Sequence, residues 1–218
     1  MYSVTLNNFG YFRTKIPSQL YKDLLKECLQ AEHKNPPMVS GLTAKGVTPH
    51  YFVTGKTNLE NLTIFVHQMR EAYDKEFPGL GNTGILNLDR PYCLDQAWIN
   101  IQRKGQFVPA HTHNGIYSYT IWMKIPYDAK KENPSRKPAI SSSHIKIPYS
   151  PSTGTFEFSY TNIFGAGMSH KIALDKKDEG DMLIFPSQLR HLVYPFYTSS
   201  RVRISISGNI LYDVGKKA

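Results

Sequence analysis

The sequence has little cysteine. Cys28 and Cys93 are its only thiols, far apart and without CxxC spacing, so no disulfide framework organises the fold. A reduced, cytoplasmic compartment is the expectation. No stretch approaches the ~18 apolar residues of a membrane span, and the opening MYSVTLNNFGYFRTK lacks the apolar run of a signal peptide. Acidic residues are fewer than basic ones, 17 against 26, for a net charge of +9. That surplus admits nucleic acid, an anionic surface or an anionic co-substrate as partner. The basic residues are scattered, however, and the densest cluster, KKENPSRK at 130–137, lies among Pro, Ser and Asn as in a solvated loop. Internal repeats and low-complexity tracts are absent too. PGLGNTG at 78–84 lacks the preceding strand and the Lys-Ser/Thr ending of a phosphate loop.

What is present is aromatic. The 14 Tyr, 11 Phe and 2 Trp in 218 residues favour pleated faces on which rings pack. The length suits a single domain, with residues 1–92 as a helical and loop portion packed on a β core over 93–213. Residues 1–16 alternate weakly and admit a strand or two. Leu20, Tyr21, Leu24, Leu25, Cys28 and Leu29 recur at the spacing of one helix face. Ser18 is a candidate cap, and Pro36-Pro37 a stop. Residues 34–57 are rich in Gly, Pro, Ser and Thr and read as a long loop, with a short strand at Tyr51–Thr54. A second helix is expected from Leu59 to Phe77, with Asn58 as cap and Leu62, Ile64, Phe65, Met69, Tyr73 and Phe77 as its apolar stripe. His67 on that helix has no assigned role. From Cys93 onward, short strands are expected at 97–104, 116–125, 139–147, 155–162, 169–174, 181–186, 190–197 and 203–213. Such a series separated by turns predicts a β-sandwich or barrel with the helices outside it.

The chemistry gathers around QRKGQFVPAHTHNGIYSY, Gln102 to Tyr119. His111 and His113, two apart on an extended segment, point to one face, and two imidazoles on one face can chelate a metal. His191 follows the apolar run MLIFP, and Arg203 and Ser205 share a face of the last long strand. A guanidinium beside a hydroxyl suits a carboxylate, because it presents a planar fork of donors. By itself His-Thr-His is more often two surface histidines. His33, His50, His144 and His170 have no comparable context.

Four segments carry a resemblance: WINxxxxGxxxxxHxH from Trp98 to His113, GIYSY from Gly115, GDMLIFPSQLRHLVYP from Gly180, and RISIS from Arg203. Together they resemble the 2-oxoglutarate- and Fe(II)-dependent oxygenase superfamily, in a branch found in bacteria and phages. The resemblance implies a mainly β fold with flanking helices, whose core is a double-stranded β-helix (jelly roll, cupin-like). It implies Fe(II) as metal and 2-oxoglutarate as co-substrate. The implied reaction uses O2 to hydroxylate an organic substrate (protein, peptide or small molecule), with release of succinate and CO2. His111 and His191 match iron ligands, and Arg203, helped by Ser205, matches the anchor of the distal carboxylate. Arg201 competes for that role. Asn100 and Tyr119 are expected as further polar contacts to the co-substrate. Trp122 and the loops 34–57 and 126–138 are placed at the substrate mouth.

His113 stands where these enzymes usually have Asp or Glu. A third neutral imidazole leaves the metal centre one charge unit more positive than a carboxylate would. Either three histidines form the site, or His113 turns away and water or Asp128 completes it. Two other functions stay open: a metal-binding jelly roll without turnover, for which His113 argues, and a nucleic-acid-binding or demethylating protein, for which only the charge argues. The chain is expected as a monomer or homodimer with no membrane partner.

Overall fold

The computed structural model describes residues 9–34, 37, 48–78, 91–132 and 152–213. The strand expected over 139–147 lies outside these residues, as do the break after Pro78 and parts of the loops 34–57 and 126–138.

Two helices form where the apolar spacing predicts them. Helix α1 (Ser18–Cys28) buries Leu20, Leu24 and Cys28, one residue per turn. Pro17 caps it, so Ser18 is its first helical residue rather than its cap. A proline is tolerated there because the first N–H groups of a helix have no intrahelical partner. The chain breaks at Leu29, which is 52% exposed, and resumes in the short α2 (Ala31–Lys34). Helix α3 (Lys56–Glu76) begins three residues before the expected start, with Gly55 as cap. Its N-terminus is satisfied from outside. The Glu27 carboxylate accepts from the backbone N–H groups of Thr54 (2.7 Å) and Gly55 (2.8 Å) and from Asn58 Nδ2 (2.7 Å). Asn58 therefore ties α3 to α1 rather than capping it. The buried stripe is Leu62, Val66 and Tyr73, whereas Ile64 is 59% exposed.

Ten strands among the described residues form two antiparallel sheets. The larger has the order β1 (Phe12–Lys15), β8 (Asp181–Pro186), β5 (Tyr117–Lys124), β10 (Arg203–Tyr212), β3 (Tyr92–Gln102), β2 (His50–Phe52). The smaller has the order β4 (Val108–His111), β9 (Arg190–Val193), β6 (Thr155–Thr161), β7 (Gly167–Ala173). They form a double-stranded β-helix, as the resemblance implies. Strand β3 begins at Tyr92 because Tyr92, Cys93 and Leu94 pair with Tyr212, Leu211 and Ile210. Strand β9 stops at Val193, two residues before Pro195, whose missing N–H ends a ladder. Arg201 precedes β10 and is exposed.

Strand alternation divides the larger sheet into two faces. Ile99, Ile101, Tyr117, Tyr119, Ile121, Met123, Ile204 and Ile206 pack on the helices with Leu24, Leu62, Val66 and Tyr73. The opposite face meets the smaller sheet across Trp122, Phe156, Phe158, Leu183, Phe185 and Phe196. Strand β5 is buried on both faces, so even Ser118 and Thr120, which alternate with Tyr117, Tyr119 and Ile121, are shielded from solvent. Across the inner face the register lines up His50, Asn100, Ser205 and Trp122 in one row. Gln102 lies directly opposite Arg203 beside that row. The functional residues of the larger sheet thus share one surface.

Candidate active site

Between the sheets lies a cavity of about 350 Å³, whose walls include His50, Trp98, Asn100, Gln102, His111, His113, Trp122, His191, Arg203 and Ser205. Its size is that of a small-molecule site. These residues come from six strands and one loop.

His111 ends β4 and is the register partner of His191 on β9. His113 follows two residues later, beyond the strand. Its backbone N–H donates to the Ser187 carbonyl (2.9 Å), and Gln188 Nε2 donates to its carbonyl (3.0 Å). The turn after it needs Gly115, because a Cβ there would meet Ser187 Oγ at 2.8 Å and the Ile210 carbonyl at 3.2 Å. Ring centroids are 4.3 Å apart for His111 and His191, 4.8 Å for His111 and His113, and 5.1 Å for His113 and His191. One ligand nitrogen from each of the three lies within 4.8 Å of the others.

His111 and His191 are oriented by the same local device. Each donates its Nδ1–H to the carbonyl two residues earlier, at 2.7 Å to Pro109 and 2.9 Å to Leu189. That bond fixes the tautomer and leaves Nε2 with its lone pair. His113 Nε2 lies 3.2 Å from His191 Nε2. Burial, then the neighbouring His111, push His191 down to about 3. Burial, then His111 and His50, push His113 down to about 4. His111 is also lowered, chiefly by burial. The three are neutral at physiological pH, the form that binds metal. His113 does not turn away, and Asp128 is turned to the backbone N–H groups of Lys130 (2.8 Å) and Lys131 (3.2 Å). Three convergent neutral imidazoles fit a borderline divalent metal such as Fe(II).

Arg203 is 3% exposed. Its Nε donates to Gln102 Oε1 (3.1 Å), Nη1 to the Tyr127 hydroxyl (2.6 Å), and Nη2 to Gln102 Oε1 and the Tyr194 carbonyl (2.8 Å). The rings of Phe196 and Tyr127 flank it at 5.6 and 5.7 Å. Among the described residues no carboxylate pairs with it. Asn100 Nδ2 donates to Ser205 Oγ and Ser207 Oγ, each at 3.1 Å, so Asn100 and Ser205 form one polar patch on the inner face.

Tyr119 also borders the cavity, while its ring packs in the helix-side cluster. Among the described residues its buried hydroxyl has no hydrogen-bond partner, and it blocks the place of a Cβ on Gly208, its register partner. Thr120, opposite Ser207, lines the cavity too. Gln102, Tyr127 and His50 are the residues that sequence reasoning missed. His50 lines the cavity, and burial holds its pKa down to about 4.

Residues 96–209 match the family described as "Putative 2OG-Fe(II) oxygenase". The chain belongs to that family. As an oxygenase of this family it uses Fe(II) and 2-oxoglutarate, and the neutral triad and the buried guanidinium fit that pair. No curated protein matches the chain. Among solved structures, it is similar to a Pseudomonas putida prolyl-4-hydroxylase, with 15% identity, TM-score 0.57, and 92% of this chain and 91% of that one covered. It is similar to the 2-oxoglutarate-dependent epimerase SnoN of nogalamycin biosynthesis, with 10% identity, TM-score 0.59, and coverage of 94% and 77%. It is also similar to HygX of Streptomyces hygroscopicus, solved with nickel and 2-oxoglutarate bound, with 10% identity, TM-score 0.52, and coverage of 94% and 84%. At such identities the likeness is one of fold. Among the described residues no helix is long and apolar enough to cross a membrane.

Proposed function

We propose that this oxygenase is a dioxygenase that hydroxylates a C–H bond of an organic substrate. His111, His113 and His191 hold the iron, and Arg203 with Ser205 and Asn100 receives 2-oxoglutarate. The observation that carries the reading is one cavity lined by both the imidazole triad and an uncompensated buried guanidinium. When bound, iron with 2-oxoglutarate and O2 supplies the oxidising power that places one oxygen atom in the substrate and the other in succinate, with loss of CO2. The protein's own residues bind, orient and exclude water. His111 and His191 are locked by their Nδ1 bonds, so their Nε2 atoms need no reorganisation to meet a metal. Arg203 attracts a carboxylate in a site walled by Trp122, Phe156 and Phe185, where charge interactions are weakly screened. The same aromatic walls keep water from the reacting region.

The cavity suits a small molecule or a single side chain of a peptide, and we read residues 1–92 and 93–213 as one domain. The fold neighbours include a hydroxylase and an epimerase, so the product decides the reaction. Incubating the Fe(II)-loaded protein with 2-oxoglutarate and O2 is expected to yield succinate without added substrate, at a low uncoupled rate. A substrate screen is then expected to give a product heavier by one oxygen atom. A second reading, metal binding without turnover, is favoured by His113 in place of a carboxylate. It prevails if the protein binds Fe(II) and 2-oxoglutarate yet makes no succinate under any substrate, while His113→Asp does.

A further inference from the structure

Arg203 is held by an amide where a carboxylate would have been the ordinary partner. We propose that Gln102 is a positioning residue that orients Arg203 while leaving its charge unneutralised, and that it thereby makes the pocket select a 2-oxo acid bearing a second carboxylate. This rests on Arg203 being the co-substrate anchor of the proposed function.

A guanidinium has five N–H groups. Four bonds from Arg203 are made, all to neutral acceptors: two to Gln102 Oε1, one to the Tyr127 hydroxyl and one to the Tyr194 carbonyl. Among the described residues one N–H on Nη1 has no acceptor and remains for a ligand. The neutral acceptors offset part of the desolvation of the cation, but they do not cancel its field. The buried carboxylates Glu132 and Glu157 are turned elsewhere. Glu132 accepts from the backbone N–H groups of Tyr197 and Thr198 and from the Thr198 hydroxyl. Glu157 accepts from the Tyr194 hydroxyl (3.0 Å) and lies 3.8 Å from Lys171.

The orientation of the Gln102 amide is set on both sides. Arg203 can only donate, so it takes the oxygen. The Nε2 group faces the carbonyls of Gln106 and Tyr194, which can only accept. A glutamate in this position would lack those donors and would neutralise the arginine. The position is fixed by register, since Gln102 on β3 is the direct partner of Arg203 on β10. The result is a buried positive site with a single free donor, suited to one oxygen of an anionic group. It offers little to an uncharged chain end.

The test compares two five-carbon probes, 2-oxoglutarate and 2-oxopentanoate, which lacks the distal carboxylate. Each is titrated calorimetrically into the Mn(II)-loaded protein without oxygen. The unmodified chain is expected to bind 2-oxoglutarate at least about 30-fold more tightly, the size of effect seen at buried charge pairs. In Gln102→Glu that preference is expected to disappear, with 2-oxopentanoate affinity and Mn(II) affinity retained. In Gln102→Met, which keeps the bulk and removes the acceptor, 2-oxoglutarate is expected to weaken about tenfold as Arg203 loses its orientation. Should Gln102→Glu fail to fold, Gln102→Met decides, and unchanged 2-oxoglutarate affinity there overturns the proposal. Gln102→Glu with the original preference overturns it directly. Parallel loss of metal, both probes and stability in the two variants also overturns it, because Gln102 would then only support the fold. An unmodified chain that binds Mn(II) but does not distinguish the probes overturns the anchor role of Arg203 as well, which separates failure of that reading from failure of this one.

Discussion

His111 and His191 are matched parts: register partners on neighbouring strands, each locked by a carbonyl two residues back. His113 is held differently, through its main chain, by Ser187 and Gln188. The difference has consequences for substitution. His113→Ala is expected to weaken metal binding by at least about 10–100-fold, the cost of losing even a hydrogen-bond partner of a ligand, without abolishing it. His111→Ala removes one of the two rings preset by an Nδ1–H bond and is expected to abolish binding at micromolar metal. His113→Asp supplies the carboxylate of the common two-histidine, one-carboxylate site and lowers the net charge of the centre by one unit. It is expected to keep Fe(II) and to raise uncoupled succinate formation. Metal titration and succinate assay of the three variants check these outcomes. A His113→Asp protein that loses its metal would show that the third position requires an imidazole.

At the scale of elements, the tightest place in the larger sheet is where β5 passes β10. The Tyr119 ring stands over Gly208, and among the described residues its hydroxyl has no partner. Gly208→Ala is expected to cost about 1–3 kcal/mol, as overpacking a filled core does. Tyr119→Phe removes an unsatisfied buried hydroxyl and is expected to be neutral or stabilising. Combined with Gly208→Ala it is expected to recover part of the loss, a coupling readable in denaturant unfolding of the double-mutant cycle. This contact also shows where sequence reading stopped. The triad was legible because its spacing is local: a two-residue step puts His111 and His113 on one side, and His191 follows an unmistakable apolar strand. Arg203 was separable from Arg201 by the RxS pattern, and Arg201 is exposed ahead of β10. Tyr119 alternates with Ser118 and Thr120 on β5, so its ring phases with the helix-side cluster although it borders the cavity. The short edge strand β4 has no legible pattern of its own, because its four residues include Pro109 and the polar His111. Gln102 was legible only as a residue, since its meaning depends on the β3–β10 register, which no local signal specifies.

At the scale of the whole molecule, the histidines couple folding, protons and metal. His191 is held down to about 3 and His113 and His50 to about 4, all chiefly by burial. In an unfolded chain each titrates near ~6.5. Between those values the unfolded state binds more protons, so stability falls as pH drops through about 6.5 and goes on falling toward 3–4. Above about 6.5 these groups contribute no slope. The metal-free protein is therefore expected to lose thermal midpoint steadily below pH ~6.5, and His113→Asn to flatten part of that slope. Metal binding should follow a different curve. Protons compete for an exposed imidazole already near ~6.5, for His113 and His191 only well below that, and for His111 at a pH below its ordinary value. Affinity for Mn(II) or Zn(II) is thus expected to fall much less between about pH 7 and 6 than three exposed imidazoles would give. The folded, metal-loaded protein should then resist acid better than the metal-free one, by the mass-action stabilisation of a ligand bound only to the native state. An affinity that instead falls steeply between about pH 7 and 6 would mean that the three rings are solvated, and the burial that makes them a ready-made neutral donor set would be refuted.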